Sequence, residues 1–293
     1  MKTGYVAVAG RPNVGKSTLI NHLLGQKISI TSRRPQTTRH RVHGIRTTDL
    51  GQIVLVDTPG LHAEEPRAMN RYLNRAARSA LQDVDGVVWV IDRPQFVEAD
   101  EVVLKALGKT TAPVILVINK IDRLEDKSCL LPFLSAARER YPFEDLIPVS
   151  ALGGENLDAL ERRLFEVLPE GPPIFPDDQV TDRPMRFMAA EIIREKLIRT
   201  LGQEVPHALT VEIEDYREQA GVTHIRALIL VERQGQKAIV IGRQGEGLKK
   251  VGERARLDLE RLIEGRVFLG LWVKVREGWS DDERALKSLG YSA

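Results

Sequence analysis

Short apolar runs alternate with stretches of helical spacing over the first 168 positions of the chain. Tyr5-Val6-Ala7-Val8-Ala9 is strand-like, and 18–24 carries apolar residues at helical intervals before Gly25. Val87-Val88-Trp89-Val90-Ile91 and Val114-Ile115-Leu116-Val117-Ile118 are unbroken, the mark of strands buried on both faces of a parallel sheet. Residues 42–48 and 52–56 flank Asp49-Leu50-Gly51 and predict a hairpin. Residues 146–149 predict one more strand. Helical spacing recurs across 69–82 and at about 99–107, 127–139 and 155–167. This alternation predicts a doubly wound α/β domain over residues 1–168.

The pattern changes after that. Residues 169–184 hold five prolines and a glycine, cannot continue a helix, and predict a stiff interdomain linker. Beyond it come a helix (about 185–200), strands (about 208–216 and 222–232) and a short helix (about 235–241). Gly242-Arg243-Gln244-Gly245 follows, then a long amphipathic helix (about 246–263) and a strand (about 266–275) that closes the domain. Residues 185–293 therefore read as a separate α+β module.

Composition narrows the class. Hydrophobic content of 42% and charged content of 29% describe an ordinary soluble chain of about two domains. The formal net charge of +2 means that any basic surface must be local. Cys129, the single cysteine, cannot form an intramolecular disulfide, which fits a reducing compartment. No apolar run reaches the roughly 18–20 residues of a membrane span, and a strand begins too early for a secretory signal. The expectation is a cytoplasmic protein.

Gly10-Arg11-Pro12-Asn13-Val14-Gly15-Lys16-Ser17 lies between the first strand and the first helix, the context a phosphate-binding loop requires. The glycines let successive N–H groups curl toward phosphate oxygens, and the helix adds its positive dipole end. Lys16 reaches the β- and γ-phosphates, and the Ser17 hydroxyl ligates Mg²⁺, with Thr18 alongside. Asn119-Lys120-Ile121-Asp122, straight after a buried run, selects the base. A carboxylate there accepts from guanine N1–H and the exocyclic amine, a donor pair that adenine lacks. Asn119 can hold the base and brace the phosphate loop, while the Lys120 stem lies along the ring. The backbone at Ser150-Ala151 can donate to guanine O6.

These motifs, with Thr37/Thr38 and Asp57-Thr58-Pro59-Gly60, resemble in order those of the translation-factor-like P-loop GTPases across residues 1–168. The resemblance implies that Asp57 holds Mg²⁺ through water and that the Gly60 N–H contacts the γ-phosphate. It also implies that a threonine of the 26–41 loop closes onto the metal. Thr38 precedes Arg39 as in related Thr-Arg pairs and is preferred; Thr37 is the alternative. Lys16, Thr38, Asp57 and Gly60 are the expected catalytic set. One departure stands out: Leu61 occupies the position where many relatives have a water-orienting glutamine, and leucine cannot hydrogen bond. His62 is the nearest substitute. Asn13 offers another route, because in some relatives an asparagine there helps hold K⁺ against the phosphates.

Gly242-x-x-Gly245 between two helices is how a KH module clamps a nucleic-acid backbone. From Glu232 to Arg256 there are seven basic and three acidic residues, a local excess larger than that of the whole chain. Ile241, Gly242, Arg243, Gln244, Gly245, Lys249 and Lys250 are the expected RNA contacts. A GTPase of this motif set, linked to a C-terminal type II KH module, resembles the Era family of bacterial ribosome-assembly GTPases. Runs such as Glu191-Ile192-Ile193-Arg194-Glu195-Lys196-Leu197 and Leu271-Trp272-Val273-Lys274-Val275 carry that resemblance. It implies GTP/GDP and Mg²⁺ as ligands, and binding to small-subunit ribosomal RNA near its 3′ end, not to DNA. It further implies a part in 30S subunit maturation, peripheral association with the inner face of the membrane, and a monomer. The competing readings are a GTP-dependent RNA-modifying or metabolic GTPase, and an adaptor that holds GTP without hydrolysing it. No additional catalytic cluster favours the former, and intact Lys16, Ser17 and Asp57 oppose the latter.

If Asp122 selects guanine, Asp122→Asn weakens GTP and favours xanthosine triphosphate, which carries an oxygen where guanine has the amine. Fluorescent-nucleotide titrations of both proteins check this; an unchanged GTP preference would refute the assignment.

Overall fold

The computed structural model describes residues 1–61, 67–201 and 209–291. Its first unit is built on a six-stranded sheet of β1 (Lys2–Ala9), β2 (Val42–Thr48), β3 (Gly51–Asp57), β4 (Gly86–Ile91), β5 (Val114–Ile118) and β6 (Asp145–Pro148). The order is β2-β3-β1-β4-β5-β6, with only the β2–β3 hairpin antiparallel. Helices α1 (Lys16–Leu24) and α5 (Leu157–Val167) cover one face; α2 (Ala68–Ser79), α3 (Glu101–Leu107) and α4 (Leu130–Arg140) pack on the other.

β1 shows how its sequence serves both layers. Val6 and Val8 join Leu19, Ile20, Leu160 and Leu164 in one core cluster. Ala7 and Ala9 point the opposite way, where their small size accommodates the fully buried Trp89 beside Val103 and Leu107. This is the doubly wound arrangement that the alternating pattern predicts.

The second unit comprises α6 (Met185–Thr200), β7 (Leu209–Gln219), β8 (Val222–Val231), α7 (Gln234–Ile241), α8 (Glu246–Ile263) and β9 (Arg266–Val275). β7 pairs antiparallel and β9 parallel with β8. Ile225, Ala227, Ile229 and Val231 pack with Ile193, Leu197, Val240, Val251, Ala255 and Leu259, so the three helices share one face of the sheet. This is the type II KH order expected from sequence.

Three local readings need correction. The helix expected from 155 begins at 157, because Asn156 is left-handed (φ 63°) and Ser150 bridges to Glu155. Residues 127–129 form a separate 3₁₀ turn, with Asp126 accepting from Ser128, before α4 starts. The chain does not close at β9. A tail with Trp279 and α9 (Glu283–Ser288) folds back, and Trp279, Leu286 and Tyr291 form a cluster with Met69, Tyr72 and Leu73 of α2. Asp282 caps α9 by accepting from Arg284 and Ala285 N–H groups.

The proline-rich stretch lies along the first sheet instead of spanning open space. The Gln52 amide, fully buried, accepts from the N–H groups of Ile174 (2.8 Å) and Phe175 (2.9 Å) and donates to the Phe175 carbonyl. Further on, Ile45 N–H donates to the Val180 carbonyl at 2.8 Å. Gln52→Leu removes those acceptors while keeping the volume, so we expect a loss of about 1–3 kcal/mol, the cost of stranding buried N–H groups. Urea unfolding measures it; an unchanged midpoint would show that the strap is not held this way.

Candidate functional site

The site forms at the carboxyl ends of β1, β3, β4 and β5, where a doubly wound sheet places its ligands. β1 delivers Gly10 and α1 starts at Lys16. A Cβ on Gly10 (φ 146°) would come within 2.4 Å of the Val90 carbonyl. On Gly15 (φ 105°) it would meet Asn119 Nδ2 at 2.2 Å. Both glycines are therefore fixed by close approach of neighbouring elements. Lys16 Nζ arches back over the loop and donates to the carbonyls of Gly10 (3.0 Å) and Arg11 (2.9 Å). Burial pushes its pKa down to about 8, against the opposing pull of Asp57.

β1 and β3 run side by side with Val8 opposite Asp57, which sets that carboxylate beside the phosphate loop. Ser17 Oγ donates to Asp57 Oδ2 at 2.9 Å and lies 3.0 Å from Thr38 Oγ1, which is itself 3.4 Å from Asp57 Oδ2. Thr37 turns away, donating to the Arg34 carbonyl at 2.7 Å. Thr58 ties the segment down by donating to the Val8 carbonyl. Asp57 is fully buried, and its Oδ1 has no hydrogen-bond partner among the described residues. Burial raises its pKa, although Ser29 (whose hydroxyl falls short of a hydrogen bond), Lys16, Ser17 and Thr38 pull the other way. Two hydroxyls and a half-satisfied carboxylate form a hard-oxygen donor set that fits Mg²⁺.

Asn119 bridges three loops. Its Nδ2 donates to the Val14 carbonyl (2.8 Å), and its Oδ1 accepts from the N–H groups of Lys120 (2.7 Å) and Ala151 (2.9 Å). Asp122 Oδ1 accepts from Ser150 Oγ at 2.6 Å, which leaves its Oδ2 for a base. Lys120 (φ 64°) extends over the phosphate loop to the Asn13 carbonyl at 2.7 Å. Ile121 is buried below it in the core. The cleft over these residues, about 500 Å³ in volume, runs along Pro12, Asn13, Gly15–Thr18, Thr37, Thr38, Gly60 and Lys120. A Cβ on Gly60 would strike Pro12 N at 2.5 Å, so the backbone there lies hard against the phosphate loop. Asn13 Nδ2 donates to the Arg33 carbonyl across the cleft. Leu61 is sequestered in the core, 1% exposed, while His62 lies outside the described residues.

Other participants carry no motif. Asp92 takes Arg11 (2.7 Å) and Lys120 (3.2 Å) together, and Arg11 also pairs with Asp100 at 2.6 Å. Burial opposes ionisation of Asp92, but hydrogen bonds from Arg93, Lys120 and Arg11 win and hold its pKa at about 2. Arg11 is thereby turned to these acids. The one signal in the sequence is that Asp92 directly follows a buried strand. Arg199, on α6, lines the base side of the cleft with Asn119, Asp122 and Arg123.

α6 also grips the loop that carries Thr38. Arg194 and Glu191, both buried, pair at 2.6 Å, and Arg194 Nη2 donates to the Thr37 carbonyl. Glu195 accepts from Thr31 N–H at 3.0 Å and pairs with Lys27. Arg39, buried, donates to the Leu209 carbonyl at 2.7 Å. His40 stacks on Tyr291 with ring centroids 4.6 Å apart; burial brings its pKa to about 4, so the ring is neutral near pH 7.

On the second unit, Gly242 (φ 72°), Gln244 (φ 51°) and Gly245 (φ 83°) are all left-handed. A Cβ on Gly242 would meet Gly247 N at 2.8 Å, whereas Gly245 faces open space. Arg243, Gln244, Lys249 and Lys250 are exposed around this loop, and Ile241 is half-buried beneath it.

Residues 5–120 match the family model described as a 50S ribosome-binding GTPase, and residues 204–280 match a KH domain. The chain is 56% identical over 290 residues to the GTPase Era of Ectopseudomonas mendocina, covering 99% of this chain and 97% of that protein. It is 55% identical over 291 residues to the GTPase Era of Azotobacter vinelandii, with the same coverage. Among solved structures it is similar to Aquifex aeolicus Era Y63A bound to GDP·AlF4⁻ (TM-score 0.96, 38% identity, all of both chains). It is equally similar to Era in complex with MgGDPNP and nucleotides 1506–1542 of 16S ribosomal RNA (TM-score 0.97, 38%, all of both chains).

The buried Lys16 generates a pH prediction. Between pH 8 and about 10.5 the unfolded chain binds a proton there that the folded one does not, so nucleotide-free stability rises with pH across that window. Lys16→Met removes this contribution. The stability difference between the two proteins should shift by about 1–3 kcal/mol between pH 7 and 10. Denaturant melts measure it, and parallel pH curves would overturn the assignment.

Proposed function

The chain belongs to the Era family of GTPases, and from that premise we propose that it is a GTP-controlled binder of the 3′ end of small-subunit ribosomal RNA. In this reading it acts in 30S subunit maturation. It is a GTP-hydrolysing enzyme that uses GTP/GDP and Mg²⁺. The solved complex of a similar protein with MgGDPNP and 16S ribosomal RNA supports the choice of RNA. We further infer a monomer that acts in the cytoplasm and meets the membrane only at its surface, with RNA and not DNA as its nucleic acid. Among the described residues no helix is long and apolar enough to cross a membrane.

In the mechanism we propose, the N–H groups of the phosphate loop and Lys16 cradle the triphosphate, and phosphate charge further favours the ionised form of Lys16. Ser17, Thr38 and Asp57 would hold Mg²⁺, which when bound offsets the charge on the β- and γ-phosphates. Gly60, pressed on Pro12, presents its N–H toward the γ-phosphate. Asp122 reads guanine, and Asn119 locks the base loop to the phosphate loop. Leu61 takes no part in orienting water, since it is packed in the core. Arg243, Lys249 and Lys250 face the RNA phosphates around Gly242 and Gly245.

One observation carries the coupling: the Thr37 carbonyl, one residue from Thr38, is held by Arg194 of the KH-side helix α6. Thr38 lies against Ser17 and Asp57 here, so its release would move a backbone that the second unit grips. RNA affinity should differ between the GDP state and a non-hydrolysable GTP analogue by about 1–3 kcal/mol, and RNA should shift nucleotide affinity by the same factor. Gly245→Asp places a charge in the open space at the clamp. It should abolish RNA binding while leaving GTP affinity without RNA intact. Titration of RNA in both nucleotide states decides; identical affinities would leave two tethered binders and no switch.

A further inference from the structure

The KH-side sheet has a second face that the helices do not cover. Strand alternation sends Arg266, Phe268, Gly270, Trp272 and Lys274 of β9 to that face, opposite Val222, His224, Arg226, Leu228 and Leu230 of β8. Phe268 is 58% exposed and Trp272 36%. Two large rings open to solvent on one strand are unusual outside recognition surfaces. The His224 ring extends this surface, with its centroid 5.4 Å from that of Phe268. At the far end, Thr210 hydrogen bonds the Tyr291 hydroxyl at 2.8 Å, so the C-terminal tail bounds the open area there.

Gly270, between the rings, is informative. Its φ is not positive, and an added Cβ would come no nearer than 3.9 Å to Arg226 or Ile225. Neither backbone nor packing calls for glycine, and a strand interior is destabilised by it. Its effect is a bare notch between rings set about 13 Å apart along the strand.

Charge selects the occupant. Arg226, Arg266 and Lys274 are exposed at the notch and at both ends of the strip, without an ion pair among the described residues. The acids on this face lie on the neighbouring strand β7: Glu212 stands opposite Leu228, and Asp215, opposite Arg226, is paired with Arg217 at 3.3 Å. Free cations interleaved with open rings suit unpaired bases, whose faces stack while their phosphates meet the arginines and the lysine.

We propose that the outer face of this sheet is a second contact for single-stranded RNA, separate from the Gly242–Gly245 loop. Bases stack on Phe268 and Trp272, and the backbone crosses Arg226 and Lys274. The proposal rests on the reading of the chain as RNA-binding. The test uses the full chain, a non-hydrolysable GTP analogue, Mg²⁺ and a labelled RNA of 16S nucleotides 1506–1542. Phe268→Ala and Trp272→Ala should each weaken binding about 5- to 100-fold, the usual loss per stacked base. Gly270→Val fills the notch with a better strand former; it should weaken binding without lowering the melting temperature. Wild-type tryptophan fluorescence should be quenched by the RNA through Trp272, since Trp89 and Trp279 are buried. If Gly245→Asp abolishes binding while all three variants bind like wild type, the second contact is refuted and the RNA reading stands. If the variants bind RNA normally but lose association with isolated 30S subunits, the face serves a protein and the proposal is equally refuted. If wild type binds no RNA, both readings fail together.

Discussion

An irregular loop cannot satisfy its own backbone, and everything between α1 and β2 is irregular. That segment exceeds the roughly 12–15 residues beyond which structureless loops are rare in compact domains. Its polar groups need partners from elsewhere, and α6 supplies them. This explains an otherwise odd helix, in which Glu191, Arg194, Glu195 and Lys196 are all buried. Burying such charges is costly unless each is paired, and each is: Glu191 with Arg194, Glu195 with Lys27, Lys196 with Asp258. The nucleotide site and the second unit are thus joined by paired buried charges, whose value collapses when one partner moves.

The same logic runs through the phosphate site, with one exception. Arg11, Lys120, Asp92 and Asp100 neutralise one another, and Asn119 uses every atom of its amide. Asp57 and Lys16 are left strained, one raised and one lowered from its ordinary pKa by the same burial. A site so prepared favours a ligand that brings anionic oxygens and a cation together. Catalysis by electrostatic preorganisation needs that arrangement in place beforehand.

Much of this was legible in the sequence because the relevant contacts are local. Gly10, Gly15 and Lys16 announce their loop through backbone geometry, and the buried runs 87–91 and 114–118 announce strands through their length. What stayed hidden depends on distant partners. Asp92 reads as an ordinary strand-end acid until Arg11 and Lys120 converge on it from 81 and 28 positions away. The partners of Arg194 and Glu195 are hidden because nothing local says that a loop covers this helix. The C-terminal tail was missed because α9 is short and its apolar residues, Leu286 and Tyr291, find their partner only on α2.

The proline-rich strap has a further consequence. β2 is the outermost strand of the first sheet, with a free hydrogen-bonding edge that would invite another chain to add on. Residues near Val180 and Thr181 occupy that edge through Ile45 and Gly44. The segment between the two units is therefore also a guard against self-association. A fragment ended at residue 168, where composition alone suggests a clean break, would keep every nucleotide motif and lose its solubility device. Even the few residues between this edge and the first turn of α6 are held, Asp182 by His43 and Arg183 by the Arg41 carbonyl.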